Sequence, residues 1–294
     1  MRIWRKLRLV GRPFRRGDGP RVYLLPNLMT AGNLFCGFLA VVRIFEGMRW
    51  DDSPGGHIFY YQAIALILGA CVFDLLDGLF ARRSGQESAF GREFDSLADI
   101  VSFGIAPALL VMDIVLEDFS GRLGWFVAFI YLLCGGMRLA RFNVMSIENP
   151  KNGATRDFRG VPIPAAAGVI ASLTLLLLWL NENDGRSELG NWRYLLVALM
   201  ILLSFLMLSD IRYPSFKGIH FSTKRTIPMT FLVFIVLLLA ILYWQWMPAV
   251  LFGLYLSYGL VRPWVSRKWR REIEQEDVEA MREGTGDNSA LDEG

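Results

Sequence analysis

Cysteine is scarce in this 294-residue chain: Cys36, Cys71 and Cys134 are the only three, none has CxxC spacing, and all lie in apolar stretches. Disulfide staples and thiolate metal centres are thereby excluded, and packing is the role left to these thiols. No repeat of fixed period is evident. A cleavable signal peptide is not expected, because the first apolar run is full length and no small-residue cleavage site follows it. Charge is sparse as well, at 20% of residues with a net value of only +3.

What is abundant is apolar surface. Hydrophobic residues make up 53% of the chain and the mean hydropathy is +0.36, far from an ordinary soluble domain. A hydrocarbon core about 30 Å thick needs roughly 20 residues of helix to cross it. Eight runs near that length occur, at 24–45, 59–80, 95–116, 124–142, 162–180, 192–209, 227–244 and 247–264. The expected fold is an all-α, polytopic membrane helix bundle of about eight transmembrane helices. It divides into a basic amphipathic juxtamembrane segment (1–22), a transmembrane domain (23–266) and a polar, acidic tail (267–294) that frays from a short helix into disorder.

The basic residues orient these runs. Lys and Arg number eight in 1–23, one in 46–58, three in 81–93, one in 116–123, five in 138–160, one in 181–191, four in 209–226, none in 244–248 and six in 262–294. Rich and poor segments alternate throughout, which by the positive-inside rule puts both termini, and the segments after the second, fourth and sixth runs, in the cytoplasm. The first segment sets Ile3, Leu7, Val10 and Phe14 at helical spacing among basic residues, a pattern suited to an anionic lipid surface or to a topogenic signal. Nucleic-acid binding is not expected, since the basic residues flank membrane spans rather than cover a soluble module.

Against this background the stretch FDLLDGLFARRSGQESAFGREFDSLAD, Phe73 to Asp99, stands out. A carboxylate at the centre of a membrane helix costs roughly 2.5–3.5 kcal/mol, less toward an end, and here there are four. Asp74 and Asp77 are three apart on one helix face; Asp95 and Asp99 are four apart on a face of the next. A short cytoplasmic turn holding Gly85 and Gly91 folds the faces together. Carboxylates that close repel unless a cation compensates. An all-oxygen ligand set with no Cys or His beside it favours Mg²⁺ or Mn²⁺, and four carboxylates suffice for two ions about 3.5–4 Å apart, a geometry that serves phosphoryl displacement. Gly78 and Gly91 leave room for a phosphate or nucleotide, and Arg82 can neutralise a phosphate where bilayer meets water.

The run Asp74-x2-Asp77-Gly78-x2-Ala81-Arg82-x8-Gly91-x3-Asp95-x3-Asp99 matches the signature of the CDP-alcohol phosphotransferases, which the chain resembles. Further segments resemble the bacterial and archaeal phosphatidylserine synthase branch: Pro26-Asn-Leu-Met-Thr30 with Asn33 following, Arg138-Leu-Ala-Arg141-Phe-Asn143, Gly160-Val-Pro-Ile-Pro-Ala-Ala-Ala-Gly168 and Tyr213-Pro-Ser-Phe-Lys217. The phospholipase-D-like synthases are a different case: they need paired HxK motifs, and neither His57 nor His220 is followed by x-Lys.

The resemblance implies a six-helix core, two divalent metals, usually a homodimer, and transfer of a phosphatidyl group from CDP-diacylglycerol to an alcohol, L-serine in this branch, with CMP leaving. By the same resemblance Asp74 and Asp95 bridge both ions, Asp77 completes the first site and Asp99 the second, and Asp99 is also the candidate general base for the serine hydroxyl. Asn27 and Thr30 match the cytidine side, and Gly78, Arg82, Ser88 and Gly91 the rest of the CDP-diacylglycerol site. Arg138 and Arg141 are the candidates for the serine carboxylate, Asn143 for a helix cap and Lys217 for lipid phosphate. The rivals are acceptors such as glycerol 3-phosphate, inositol phosphate or choline. A divalent-cation transporter is disfavoured, because the aspartates gather at one level instead of lining successive depths. The expected setting is a bacterial-type inner membrane, with the active site facing the cytoplasm.

Overall fold

The structure is a computed structural model; it describes residues 24–50, 57–84, 88–116, 122–148, 158–183, 192–213, 238–239 and 242–265. Both terminal segments, the glycine turn at 85, Lys217, His220 and most of the 227–244 run lie outside the described residues.

Helix α1 (Leu24–Trp50) and helix α2 (His57–Ser84) pack along their length as an antiparallel pair. At 27 residues, α1 spans about 40 Å at 1.5 Å per residue. Helix α3 (Ala89–Asp99) continues without a break through a π-helical segment (Ile100–Ile105), helix α4 (Ala106–Val111) and a second π-helical segment (Met112–Leu116). Helix α5 (Arg122–Glu148), helix α6 (Ile163–Asn183), helix α7 (Trp192–Leu208) and helix α8 (Met247–Val265) complete the bundle. The expected all-α membrane bundle is what forms. Among the described residues, five helices are long and apolar enough to cross a membrane: Leu25–Arg49, His57–Phe80, Phe90–Val115, Gly124–Met145 and Ile163–Glu182. Trp192–Leu208 and Met247–Val261 are shorter apolar helices.

Helix α3 starts earlier than the 95–116 run suggests. Its first turn is too polar to register as apolar, but the Ser88 hydroxyl caps it by accepting from the Gly91 amide at 2.9 Å, satisfying one of the free N–H groups of a helix start. Gly91 therefore lies in the helix, not in the turn before it.

The π-helical segment after Asp99 has a visible cause and a visible partner. Pro107 has no N–H to offer the Phe103 carbonyl four residues back, and the buried Tyr131 hydroxyl of α5 donates to that carbonyl at 3.0 Å. On its other side the segment touches α1 backbone to backbone. A Cβ on Gly37 would lie 2.6 Å from Ser102 Cα, so only glycine permits the approach. The Ser102 hydroxyl donates to the Asn33 carbonyl at 2.9 Å across the same contact.

The core is built largely from Ala, Ile and Leu, with Ala63, Ala70, Ala106, Ala166, Ala167 and Ala171 fully or nearly fully buried, as close helix packing in lipid requires. Large apolar residues point outward, Phe205 at 70% and Leu97 at 65% exposure, which suits contact with acyl chains rather than water. A two-residue antiparallel ladder pairs Phe158 with Tyr213 and Arg159 with Arg212. Beside it Gly160 sits at φ 77°, where a Cβ would lie 2.9 Å from the Met207 carbonyl carbon, and its amide donates to Ile211 at 2.8 Å. Positive φ and this close approach both require glycine, and together they anchor the entry to α6 against the end of α7.

Candidate active site

Three helices supply the site. The last turns of α2 carry Asp74 and Asp77, α3 carries Asp95 and Asp99, and the opening turns of α1 carry Asn27, Thr30 and Asn33 at intervals of three, far from the charged residues Arg43, Glu46 and Arg49 at the other end of that helix. Oxygens of Asp74, Asp95 and Asp99 all lie within 4.8 Å of one another. Asp99 is buried, and Asp95 Oδ1 is enclosed with no hydrogen-bond partner among the described residues. Three carboxylates converging in a low-dielectric site, one with an unsatisfied oxygen, fit a hard divalent cation, whose charge offsets their repulsion.

Asp77 is placed differently. It is buried and accepts a hydrogen bond from the Thr30 hydroxyl, which also lies 3.2 Å from the Pro26 carbonyl, so it stands outside the converging trio. The spacing of three in α2 puts both aspartates on one face, yet neighbouring helices decide which partner each meets.

The donor-side candidates cluster at the start of α3. A Cβ on Gly91 would come 3.2 Å from Ser88 Oγ and 3.5 Å from Asn27 Oδ1. That brings Asn27, Ser88 and Gly91 into one neighbourhood, with the buried Asn27 Nδ2 lacking a partner among the described residues. Gly78 is half-buried on α2, one residue beyond Asp77. The Arg82 backbone continues α2, and its side chain is outside the described residues.

The two arginines of α5 part ways. Arg138 is buried, near enough to Asp99 and Asp74 for their charges to act on it, and its guanidinium lies 5.7 Å from the centre of the Phe142 ring. Arg141 reaches the end of α7, donating to the carbonyls of Leu208 at 3.3 Å and Ser209 at 3.4 Å and pairing with Asp210 at 3.5 Å. A cation on the final carbonyls of a helix is a favourable C-terminal arrangement. Asn143 lies inside α5 and caps nothing; its amide donates to Ser96 Oγ at 3.0 Å.

Asn33 is the residue to which sequence reasoning attached no role. It is fully buried and its Nδ2 donates to Asp99 Oδ1 at 3.0 Å. The signal that could have found it is the 27/30/33 periodicity on α1. Cys71 is free, and its thiol lies 3.6 Å from the Pro164 carbonyl of α6, a contact consistent with packing.

The family model for CDP-alcohol phosphatidyltransferase matches residues 23–206. A Helicobacter pylori protein named CDP-diacylglycerol--serine O-phosphatidyltransferase is 36% identical over 244 residues, covering 83% of this chain and 92% of its own. A protein of the same name from Methanocaldococcus jannaschii is 34% identical over 198 residues, 67% of this chain and 77% of its own. The archaetidylserine synthase of Methanothermobacter thermautotrophicus is 35% identical over 201 residues, 68% of this chain and 73% of its own. With a membrane helix bundle, an acidic cluster at one end of it and a family match across most of the described helices, this chain belongs to the CDP-alcohol phosphatidyltransferase family of membrane-embedded transferases.

Proposed function

We propose that this protein transfers the phosphatidyl group of CDP-diacylglycerol to the hydroxyl of L-serine, releasing CMP. The observation that carries this reading is likeness over nearly the full length of the Helicobacter pylori protein named for that reaction. Serine also appears in the name of the archaeal relative whose product is archaetidylserine, which favours serine over choline, glycerol 3-phosphate or inositol phosphate as acceptor.

In this reading Asp74, Asp95 and Asp99, with Asp77 as fourth ligand, hold two divalent cations, Mg²⁺ or Mn²⁺. Bound there, the ions supply positive charge that offsets the diphosphate and favours loss of the proton from the attacking hydroxyl. Asp99 accepts that proton as the serine oxygen forms its bond to the β-phosphorus, and the phosphoanhydride bond breaks with its electron pair leaving on CMP. Asn27 and Thr30 contact the cytidine side of the donor, and Gly78, Arg82, Ser88 and Gly91 the diphosphate. Arg138, buried beside Asp99, is the better placed cation for the serine carboxylate. Arg141, engaged with the end of α7, holds that helix against α5.

The alternation of basic segments supports a cytoplasmic active site and cytoplasmic termini, in an inner membrane, with 23–266 as the transmembrane domain and eight spans. A homodimer is part of the proposal. Tags in 84–90 should map to the cytoplasm and tags in 52–56 to the opposite side. The deciding experiment offers purified protein CDP-diacylglycerol and Mn²⁺ or Mg²⁺ with serine, glycerol 3-phosphate, inositol phosphate or choline in parallel, and identifies the lipid formed. Phosphatidylserine as main product is expected; any other lipid overturns the acceptor assignment.

A further inference from the structure

Asn33 poses a hydrogen-bonding problem that the reaction as described leaves open. Its side chain is fully buried, its Nδ2 donates to Asp99 Oδ1 at 3.0 Å, and its Oδ1 has no hydrogen-bond partner among the described residues. The amide orientation follows from chemistry: an ionised carboxylate accepts only, so the NH₂ group must face Asp99 and the oxygen must turn away. A buried carbonyl without a donor is costly, and such groups are rare unless a ligand or water completes them. The residue is also held in register. Its backbone carbonyl accepts from Ser102 at 2.9 Å, in the π-helical segment that begins one residue after Asp99, where Gly37 lets α1 approach.

We propose that Asn33 is an acceptor-site residue that orients Asp99 through its amide nitrogen and receives the ammonium group of the amino-acid acceptor on its amide oxygen. This inference rests on serine being the acceptor. The two amide atoms share one carbon, so the open oxygen stands beside the same carboxylate that takes the hydroxyl proton. Arg138, whose charge interacts with Asp99, offers the complementary cation. A small zwitterion carries three groups to be read, a carboxylate, an ammonium and a hydroxyl, and Arg138, Asn33 Oδ1 and Asp99 present one matching partner to each. An acceptor with a hydroxyl and a carboxylate but no ammonium would leave the Asn33 oxygen unsatisfied, and polar mismatch of that kind is how sites reject near-isosteres.

The test compares L-serine with 3-hydroxypropionate, which keeps hydroxyl and carboxylate and lacks the ammonium. KM is measured for serine, and Ki for 3-hydroxypropionate as a competitor, in the wild type and in Asn33→Ala. In the wild type serine should be preferred; Asn33→Ala should shrink that preference by about 10- to 100-fold, the range of one hydrogen bond to a charged group, chiefly by raising KM for serine. Loss of Asp99 orientation should separately lower kcat for serine. The preference is a ratio within one preparation, so a reduced fraction of folded protein does not alter it. Asn33→Leu, close to the amide in shape and without either polar atom, provides the same ratio if the alanine variant fails to insert. An unchanged ratio in the variant that does insert overturns the proposal, and so does an unchanged ratio accompanied by a higher metal requirement, which would make the oxygen a metal ligand. A wild type that makes no phosphatidylserine would instead defeat the reading of function on which this one rests.

Discussion

Helices α3 and α6 cross the same bundle, and their polar atoms meet opposite fates. In α6 the buried hydroxyls close on their own backbone, Ser172 to Val169 at 3.2 Å and Thr174 to Ile170 at 2.8 Å, which satisfies them locally. No ionisable side chain interrupts α6 before Glu182. In α3 the carboxylates are turned on other helices, Asp99 toward Asn33 of α1 and Asp95 toward Asp74 of α2 with one oxygen unsatisfied, while Ser96 donates to its own Arg92 carbonyl at 3.0 Å and accepts from Asn143 of α5. A helix that satisfies its own polar atoms is scaffold, and one that leaves them open toward a shared space is built for a ligand.

The sharpest way to break that contrast is to neutralise one carboxylate of the trio. Asp74→Asn or Asp95→Asn is expected to bring metal-dependent CMP release to background in protein that inserts normally, because each removes a charged oxygen from the shared site. Near wild-type turnover in either would mean that α3 and α2 are scaffold after all. Asp77→Asn should be milder, since its carboxylate is already engaged by Thr30 and an amide oxygen can still coordinate.

Asp99→Asn sharpens the contrast by separating two roles. If proton acceptance dominates, turnover should fall by about 10²–10⁴ while donor affinity and metal requirement stay within a few fold. Recovery at high Mn²⁺ would show that ligation dominates instead.

The smallest effects belong to scaffold positions. Arg141→Ala should lower thermal stability by about 1–2 kcal/mol through loss of a cation at the end of α7, with KM for serine changed only a few fold. A tenfold or larger rise in that KM would return Arg141 to the acceptor site. Ile170→Val, in the buried face of α6, should cost about 0.5–1.5 kcal/mol and leave turnover within a few fold, as thermal melts and the CMP assay would register.

Much of this protein follows from its sequence alone. Apolar run length and the alternation of basic residues are properties of the chain by itself: a helix satisfies its own backbone in lipid over a run of that length, and the loops that stay in the cytoplasm retain the Lys and Arg. The aspartate spacing places Asp74 with Asp77, and Asp95 with Asp99, on single helix faces for the same reason of period. What period cannot supply is the rotation of one helix against the next. That Asp74 joins Asp95 and Asp99 while Asp77 meets Thr30, that Arg138 turns inward while Arg141 reaches α7, and that Asn33 touches Asp99 were decided only in the tertiary structure. There the Gly37 contact, the missing N–H of Pro107 and the π-helical segment after Asp99 set which side chains of separate helices come within hydrogen-bonding reach.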